Sequence, residues 1–169
     1  MLIQVRNSML SILTKEKQKN IYSLKFDSTH IQFPTLDESF EHIQRLDFSM
    51  IIYKITQPDP SIAMLWDEES AIEAIRYYKN YLWLLRKYSE LHSVIPPSIE
   101  IDEIWHHHIL DTYQYEQDCL RIFGQFLHHY PYFGMRGEQD KIDLHNQFEI
   151  TQQLHFKECG EYIFSFEAV

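Results

Sequence analysis

Half of the histidines in this chain lie in one short part of it, in the segments EIDEIWHHHILDTYQYEQDC and GQFLHHYPYFG: His106, His107, His108, His128 and His129. Neutral imidazole binds transition metals well, and a carboxylate such as that of Asp102 offsets the charge of the ion. Two imidazoles and one carboxylate form the ligand set of catalytic zinc and of non-haem Fe(II) sites, which keep positions open for water or substrate. The first question is therefore whether these side chains meet.

Helix geometry limits which of the histidines can share one ion. Residues two apart on a helix point about 200 degrees apart, whereas residues four apart lie on one face. His106 therefore shares a face with Asp102 and not with His108. If the next segment folds back as an antiparallel helix, the second histidine pair returns beside Asp102 and His106. The sequence predicts a site for a divalent transition metal, zinc or iron, with these candidate ligands: Asp102, His106, His108, His128 and His129.

Two functions are compatible with this cluster. The first is a metal-dependent enzyme that acts on a small molecule or peptide, with His108 as a further ligand or a proton shuttle and His107 in solvent. The second is a non-catalytic helical interaction or regulatory module, in which the same side chains form a structural hydrogen-bond network. Cys119 is a soft ligand or a nucleophile in the first interpretation, although a small buried packing residue is the favoured role.

The elements that must position these residues are helical. Apolar residues recur at spacings of three and four, and prolines or glycines interrupt them in QPDPS, VIPPS and the loop before residue 138. The predicted helices span residues 36–56, 68–92 with Asp67 as N-cap and an apolar stripe along one face, 101–110, 111–126 with the Asp-x-x-Gln form of a capping box at its start, and 138–159, the last ended by Gly160. One continuous helix over 101–126 is the alternative. We expect a mainly α, single-domain helical bundle of four to five helices. The alternating segments 21–33 and 161–169 predict at most a small terminal β element.

Length and composition predict one domain. A chain of 169 residues with 44% hydrophobic content is long enough for a single core. We expect an N-terminal extension over 1–35, a helical core over 36–160 and a tail over 161–169. Trp105 falls on the same helical face as Ile101 and Ile109, which predicts that its indole is buried.

Charge and cysteine content indicate which binding partners and which cellular compartment to expect. The formal net charge is -10, and no basic stripe is present, so nucleic acid is not an expected partner. Two cysteines without CxxC spacing fit a reducing compartment. No stretch approaches the roughly 18 apolar residues of a membrane span, and the first residues lack a secretory signal pattern. These features predict a cytoplasmic protein with no membrane partner.

The run from Ile101 to Cys119 has the pattern D-x-x-W-H-x-H-x-L-D-x-x-x-Y-x-x-D-C, matched at Asp102, Trp105, His106, His108, Leu110, Asp111, Tyr115, Asp118 and Cys119. This pattern resembles the glycine-rich domain-containing protein-like family, and its continuation resembles the shorter bacterial members over roughly residues 36 to 160. The resemblance implies no established reaction. It singles out His106 and His108 and leaves position 107 variable. Since a regular helix does not let these two histidines share one ion, the resemblance implies either a helix that is distorted there or two histidines that serve different purposes. With only four glycines, the chain lacks the feature that names the family.

Overall fold

The computed structural model describes residues 33–58 and 65–163, which form six α-helices and no strand. The helices are α1 (Leu36–Arg45), α2 (Ser49–Ile55), α3 (Glu68–Tyr88), α4 (Ile99–Leu110), α5 (Thr112–Phe123) and α6 (Glu138–Cys159). The prediction of a mainly α bundle is confirmed, with one helix more than expected. Both predicted terminal strands lie almost wholly outside the described residues, and the domain boundaries stay a prediction.

Helix α3 is the centre of the bundle and packs against α1, α2, α4 and α6. Asp67 caps it, because its Oδ1 accepts the Ser70 N–H at 2.8 Å. The apolar stripe predicted from the sequence is buried at every position: Ala71, Ala74, Ile75, Tyr78, Leu82, Leu85 and Tyr88. Burying one large side chain of this kind contributes about 1.5 to 3 kcal/mol, so the stripe stabilises the bundle as a whole.

The predicted helix over residues 36–56 is wrong in one respect, because the chain breaks it into α1 and α2. Leu46 leaves the helical conformation at ψ 129°, and the Asp47 carboxylate accepts the Ser49 N–H at 2.9 Å. Lys79 donates from Nζ to the Leu46 carbonyl at 2.6 Å, which satisfies a group that the break exposes. The break lets the Phe48 ring turn inward, where it is only 6% exposed.

Helices α4 and α5 form a tight hairpin joined at Asp111. Its carboxylate accepts the Gln114 N–H at 3.3 Å, as the predicted cap requires. Helix α5 ends three residues before the predicted end, at Phe123, because Gly124 adopts the left-handed conformation with φ 72°. A Cβ at Gly124 would lie 2.3 Å from the Phe33 ring, so glycine is needed there for space as well.

The loop over residues 124–137 leads from the hairpin to α6 and is held by the Asp140 side chain. Oδ2 of Asp140 accepts the backbone N–H groups of Gly134 and Arg136 at 2.7 and 3.1 Å. Helix α6 has the predicted bounds and ends at Gly160, also left-handed. Thr151 fixes α6 to the start of α4 by donating to the Pro96 carbonyl at 2.9 Å.

Trp105 lies at 0% exposure in the same core as Ile101, which confirms its predicted burial. Both cysteines are free thiols. Across residues 33–58 and 65–163, no helix combines the length and the apolar character needed to cross a membrane.

Candidate functional site

Asp102 and His106 lie one turn apart on α4, at the edge of the core. Nε2 of His106 is 3.6 Å from Oδ2 of Asp102, and the two side chains are 45% and 33% exposed. The i, i+4 spacing places them on one face, as the sequence predicts. Ile101, Ile104 and Trp105 occupy the opposite, buried side of the helix. The pair therefore faces solvent from a firmly anchored element.

His129 reaches this pair from the loop over residues 124–137. Its Nε2 is 2.7 Å from Oδ1 of Asp102, and its ring centroid is 4.7 Å from that of His106. The carboxylate oxygen and the two imidazole nitrogens all lie within 4.8 Å of one another. Within the described residues, Asp102, His106 and His129 form the one group with such metal-ligand geometry. We refer to these three residues as the Asp/His triad.

The spacing of these atoms is close to what an ion would impose. Ligand atoms about 2.0 to 2.2 Å from a tetrahedral ion lie roughly 3.3 to 3.6 Å apart. The Asp102 to His106 distance of 3.6 Å is within that range, and the Asp102 to His129 distance of 2.7 Å is shorter. The first distance is to Oδ2 of Asp102 and the second to Oδ1, so coordination through one carboxylate oxygen would require side-chain rotation, for which the 45% exposed His106 has room.

A buried clamp holds His129 in place. The Trp105 ring packs edge-on against His129 at 4.4 Å, and its indole N–H donates to the Tyr115 hydroxyl at 3.0 Å. Tyr115 in turn donates to the Leu127 carbonyl at 2.6 Å. The Leu127 N–H bonds to the Cys119 sulfur. Leu127 is thus fixed at both of its backbone polar groups, two residues before the triad histidine.

Cys119 belongs to this clamp rather than to any reactive site. The side chain is 2% exposed, and burial raises the pKa of its thiol to about 11. A thiol with such a pKa carries almost no thiolate at neutral pH, and the thiolate is the form that attacks or binds metal. The favoured packing role of Cys119 agrees with this environment.

His108 points away from the Asp/His triad into the core, where it is 2% exposed. Its Nε2 is 3.2 Å from Oδ2 of Asp118, and its Nδ1 is 2.9 Å from the Tyr78 hydroxyl. Asp118 also bonds through Oδ1 to His42 Nε2 at 2.7 Å and accepts from Gln114 Nε2 at 2.9 Å. We call Tyr78, His108, Asp118, His42 and Gln114 the buried network.

Asp118 is a carboxylate at 1% exposure, so its charge must be compensated. Burial alone pushes its pKa upward, but hydrogen bonds from His108, Gln114 and His42 outweigh that effect, and the net pKa is lowered. The carboxyl is therefore ionised across the neutral range, and it accepts hydrogen bonds without donating any.

The two remaining histidines of the segment take no part in either group. His128 is exposed, and its ring packs against Phe126 at 5.0 Å between centroids. The expectation that the His107 side chain is in solvent is wrong, because it is only 9% exposed. Its Nε2 is 3.5 Å from Oε1 of Glu103, a contact without the geometry of a hydrogen bond, and burial lowers its pKa.

A cleft of about 170 Å³ adjoins the triad. Asp102 and His129 line it on one side. The rest of its wall is mainly apolar and comes from the turn before α4, the start of α4, the loop after His129 and α6: Pro96, Pro97, Ile99, Tyr130, Pro131, Phe133 and Leu144. A small molecule in this cleft would lie directly beside two members of the triad.

Sequence reasoning missed most of the buried network. In the sequence, Asp118 is marked only as a position of the family pattern, and helical spacing places Tyr78 in the apolar stripe of α3. His42 carried no local signal, because its partner is 76 residues away in the chain. The signal that existed was the ten-residue separation of His108 and Asp118, which a helical hairpin brings face to face.

The comparisons with known proteins support the family resemblance. The model of the UCP032817-like family matches residues 38–154, a range that contains both groups of side chains. Glycine-rich domain-containing protein 1 of Arabidopsis thaliana is 33% identical over 73 residues, which are 42% of this chain and 9% of that protein. The chain thus spans under a tenth of this relative's length. No solved structure matches the chain.

Proposed function

The chain belongs to the UCP032817-like family, and from that premise we propose that it binds a divalent transition metal at the Asp/His triad. One observation carries the proposal: two imidazole nitrogens and a carboxylate oxygen, from residues as far apart as 102 and 129, lie within 4.8 Å of one another. This donor set suits zinc and Fe(II), the ions expected from the sequence.

The chemistry of binding follows from the bond that joins Asp102 and His129. In a neutral imidazole, the nitrogen that donates to Asp102 carries the proton. An ion can use that nitrogen only after the proton moves to the other ring nitrogen or leaves. Metal affinity is therefore expected to fall as the solution is made acidic, since a protonated imidazole nitrogen has no lone pair for the ion.

Three protein ligands leave at least one position of a four-coordinate ion open. The cleft of about 170 Å³ shares Asp102 and His129 with the triad. This adjacency supports a metal-dependent enzyme that acts on a small molecule or peptide, because a bound ion polarises an oxygen or activates water. Catalytic residues beyond the triad stay unassigned.

A non-catalytic module is the second candidate, and a specific contact favours it. The bond of 2.7 Å between His129 and Asp102 already satisfies both groups and ties the loop to α4. In that function the triad holds the loop against the helix and needs no ion.

Metal titration separates the two candidates. Tag-free full chain is assayed for metal content and titrated calorimetrically with Zn²⁺ and, without oxygen, with Fe²⁺. We expect one ion per chain, and at a free ion concentration of 100 Kd a stabilisation of about 2.7 kcal/mol. His106→Ala and His129→Ala should each weaken binding by about tenfold or more.

His128→Ala is the matched control, because this exposed imidazole is adjacent in sequence to His129 but outside the triad. It should leave affinity unchanged. Absence of binding by the parent chain, or equal losses from His128→Ala and His129→Ala, would overturn the metal site and leave the interaction module as the function.

A further inference from the structure

A second cleft, of about 530 Å³, opens between α1 and α5. The Asp/His triad does not line it. Its polar walls include Glu38, Glu41, His42, Arg45 and Arg121. We infer that this cleft binds a small hydroxy acid, with Arg121 pairing the acid group and Nδ1 of His42 accepting a hydrogen bond from the hydroxyl.

The protonation of His42 follows from the buried network. Ionised Asp118 only accepts hydrogen bonds, so the nitrogens that face it must carry protons. These are Nε2 of His42, 2.7 Å away, and Nε2 of His108, 3.2 Å away. In neutral His108 the other nitrogen, Nδ1, is then an acceptor, and the Tyr78 hydroxyl donates to it at 2.9 Å. One carboxylate therefore fixes both imidazole tautomers.

The same reasoning leaves Nδ1 of neutral His42 with a lone pair. The side chain is 20% exposed and lines the cleft, whereas its partner Asp118 is 2% exposed behind it. A carboxylate that accepts from one imidazole nitrogen fixes the tautomer and the ring orientation, so the other nitrogen is held in one direction. His42 therefore presents an oriented acceptor to whatever enters the cleft.

The four ionic groups that line this cleft, Glu38, Glu41, Arg45 and Arg121, carry no net charge, and they differ in whether a partner already occupies them. Glu38 is occupied by the cap of α1, where it accepts from the Thr35 N–H at 2.7 Å and the Thr35 hydroxyl at 2.9 Å. Glu41 and Arg45 pair with each other at 2.8 Å. Arg121 is exposed and has no ion pair or hydrogen bond within residues 33–58 and 65–163. An oxyanion is the ligand group that a free guanidinium binds best.

Glycolate and acetate provide a matched pair of probes, since both carry a carboxylate and only glycolate adds a hydroxyl. Each is titrated into chelator-treated full chain, so that no ion occupies the triad. Long-range ¹H–¹⁵N NMR of the imidazoles reports the tautomer of His42 and its response. We expect His42 to carry its proton on Nε2, and glycolate to bind about tenfold more tightly than acetate.

Three variants complete the test. His42→Gln should reduce glycolate affinity to that of acetate, and Arg121→Ala should weaken both probes about tenfold. Arg45→Ala is the control, because this arginine is already paired with Glu41. The change that it causes in the logarithm of the probe affinities should be less than half of the change caused by Arg121→Ala. Arg45 and Arg121 are exposed, so an unchanged thermal midpoint verifies the folding of their variants. His42→Gln removes a partner of Asp118 and should lower the midpoint, so its folding is verified by the retained NMR signals of the other imidazoles.

Three results would each overturn the inference. They are a proton on Nδ1 of His42, equal affinities for glycolate and acetate, or no response of either probe to Arg121→Ala. His129→Ala should bind glycolate as the parent does. Failure of the metal site and failure of this cleft are therefore observed separately.

Discussion

His106 and His108 are two residues apart on one helix, yet they belong to opposite environments. His106 is 45% exposed and faces an ion-sized space beside Asp102, whereas the whole residue His108 is 2% exposed and bonded at both ring nitrogens. Two residues of helix turn the side chain through about 200 degrees, from solvent into the core. The same side chain thus serves as an available ligand in one place and as a structural element in the other.

The energetic roles of the two groups differ in the same way. An exposed ion pair such as Asp102 with His106 contributes about 0 to 1 kcal/mol, since water competes for both partners. A buried carboxylate that loses its partners costs several kcal/mol. The triad can therefore be changed at little cost to the fold, and the buried network cannot.

The largest expected effect is that of Asp118→Asn. The amide offers only one acceptor oxygen, so either His42 loses its partner or both His108 and Gln114 do. We expect the free energy of unfolding to fall by about 3 to 5 kcal/mol in urea denaturation. Asp102→Asn is the matched control and should cost less than about 1 kcal/mol. Similar losses for both variants would remove the contrast between the two groups.

Tyr115→Phe should have an intermediate effect that links the groups. It removes the hydroxyl between the Trp105 indole and the Leu127 carbonyl and leaves two buried polar groups unpaired. The expected loss is about 1 to 3 kcal/mol of unfolding free energy.

In the same variant, zinc affinity should also fall, because His129 loses its anchor. Tyr113→Phe is the control, as Tyr113 is 74% exposed on the same helix. Unchanged zinc binding in Tyr115→Phe would show that His129 is positioned without the clamp.

The smallest effect concerns pH and a third buried histidine. Burial lowers the pKa of His155, whose Nδ1 is 2.6 Å from the Glu161 carbonyl and whose Nε2 is 3.1 Å from the Asn80 amide. A folded-state pKa below the unfolded value means that the unfolded chain binds the proton first. Stability is therefore fully present above about 6.5 and declines as pH falls below it, toward the lower folded pKa.

The size of this decline is about 1.4 kcal/mol for each unit of pKa difference. Urea denaturation of the parent and of His155→Gln measures this fall in the free energy of unfolding. The pH is varied from about 7.5 to about 5, on both sides of the ordinary histidine pKa of about 6.5. The variant should have a flatter pH profile than the parent, and His145→Gln, at an exposed position of the same helix, should keep the parent slope. A parental slope in His155→Gln would assign the pH dependence elsewhere.

The sequence predicts those parts of the fold that depend on neighbouring residues. The cap at Asp67 and the left-handed Gly160 mark the start of α3 and the end of α6, because caps and glycines act within one turn. The break between α1 and α2 has no such local signal. It depends on Lys79, more than thirty residues away, which binds the carbonyl that the break exposes.

The same division applies to the triad. Asp102 and His106 follow from helical spacing alone. The choice between His128 and His129 does not, since it depends on how the loop is attached to Tyr115 through Leu127. His108 could be separated from His106 by geometry, but its partner Asp118 became evident only when the hairpin brought the two helices together.

The attachment of Leu127 at both its N–H and its carbonyl has a consequence for how this loop can evolve. This attachment fixes how many residues separate Leu127 from each imidazole. His129, two residues after Leu127, therefore faces α4, and His128, one residue after it, packs against Phe126. One residue inserted between Leu127 and His129 would present a different side chain to Asp102 while leaving the composition of the loop nearly intact. Insertions between Pro131 and Gly134 leave that count unchanged, so they should affect the bonds of Gly134 and Arg136 to Asp140 but not the side chain that faces Asp102.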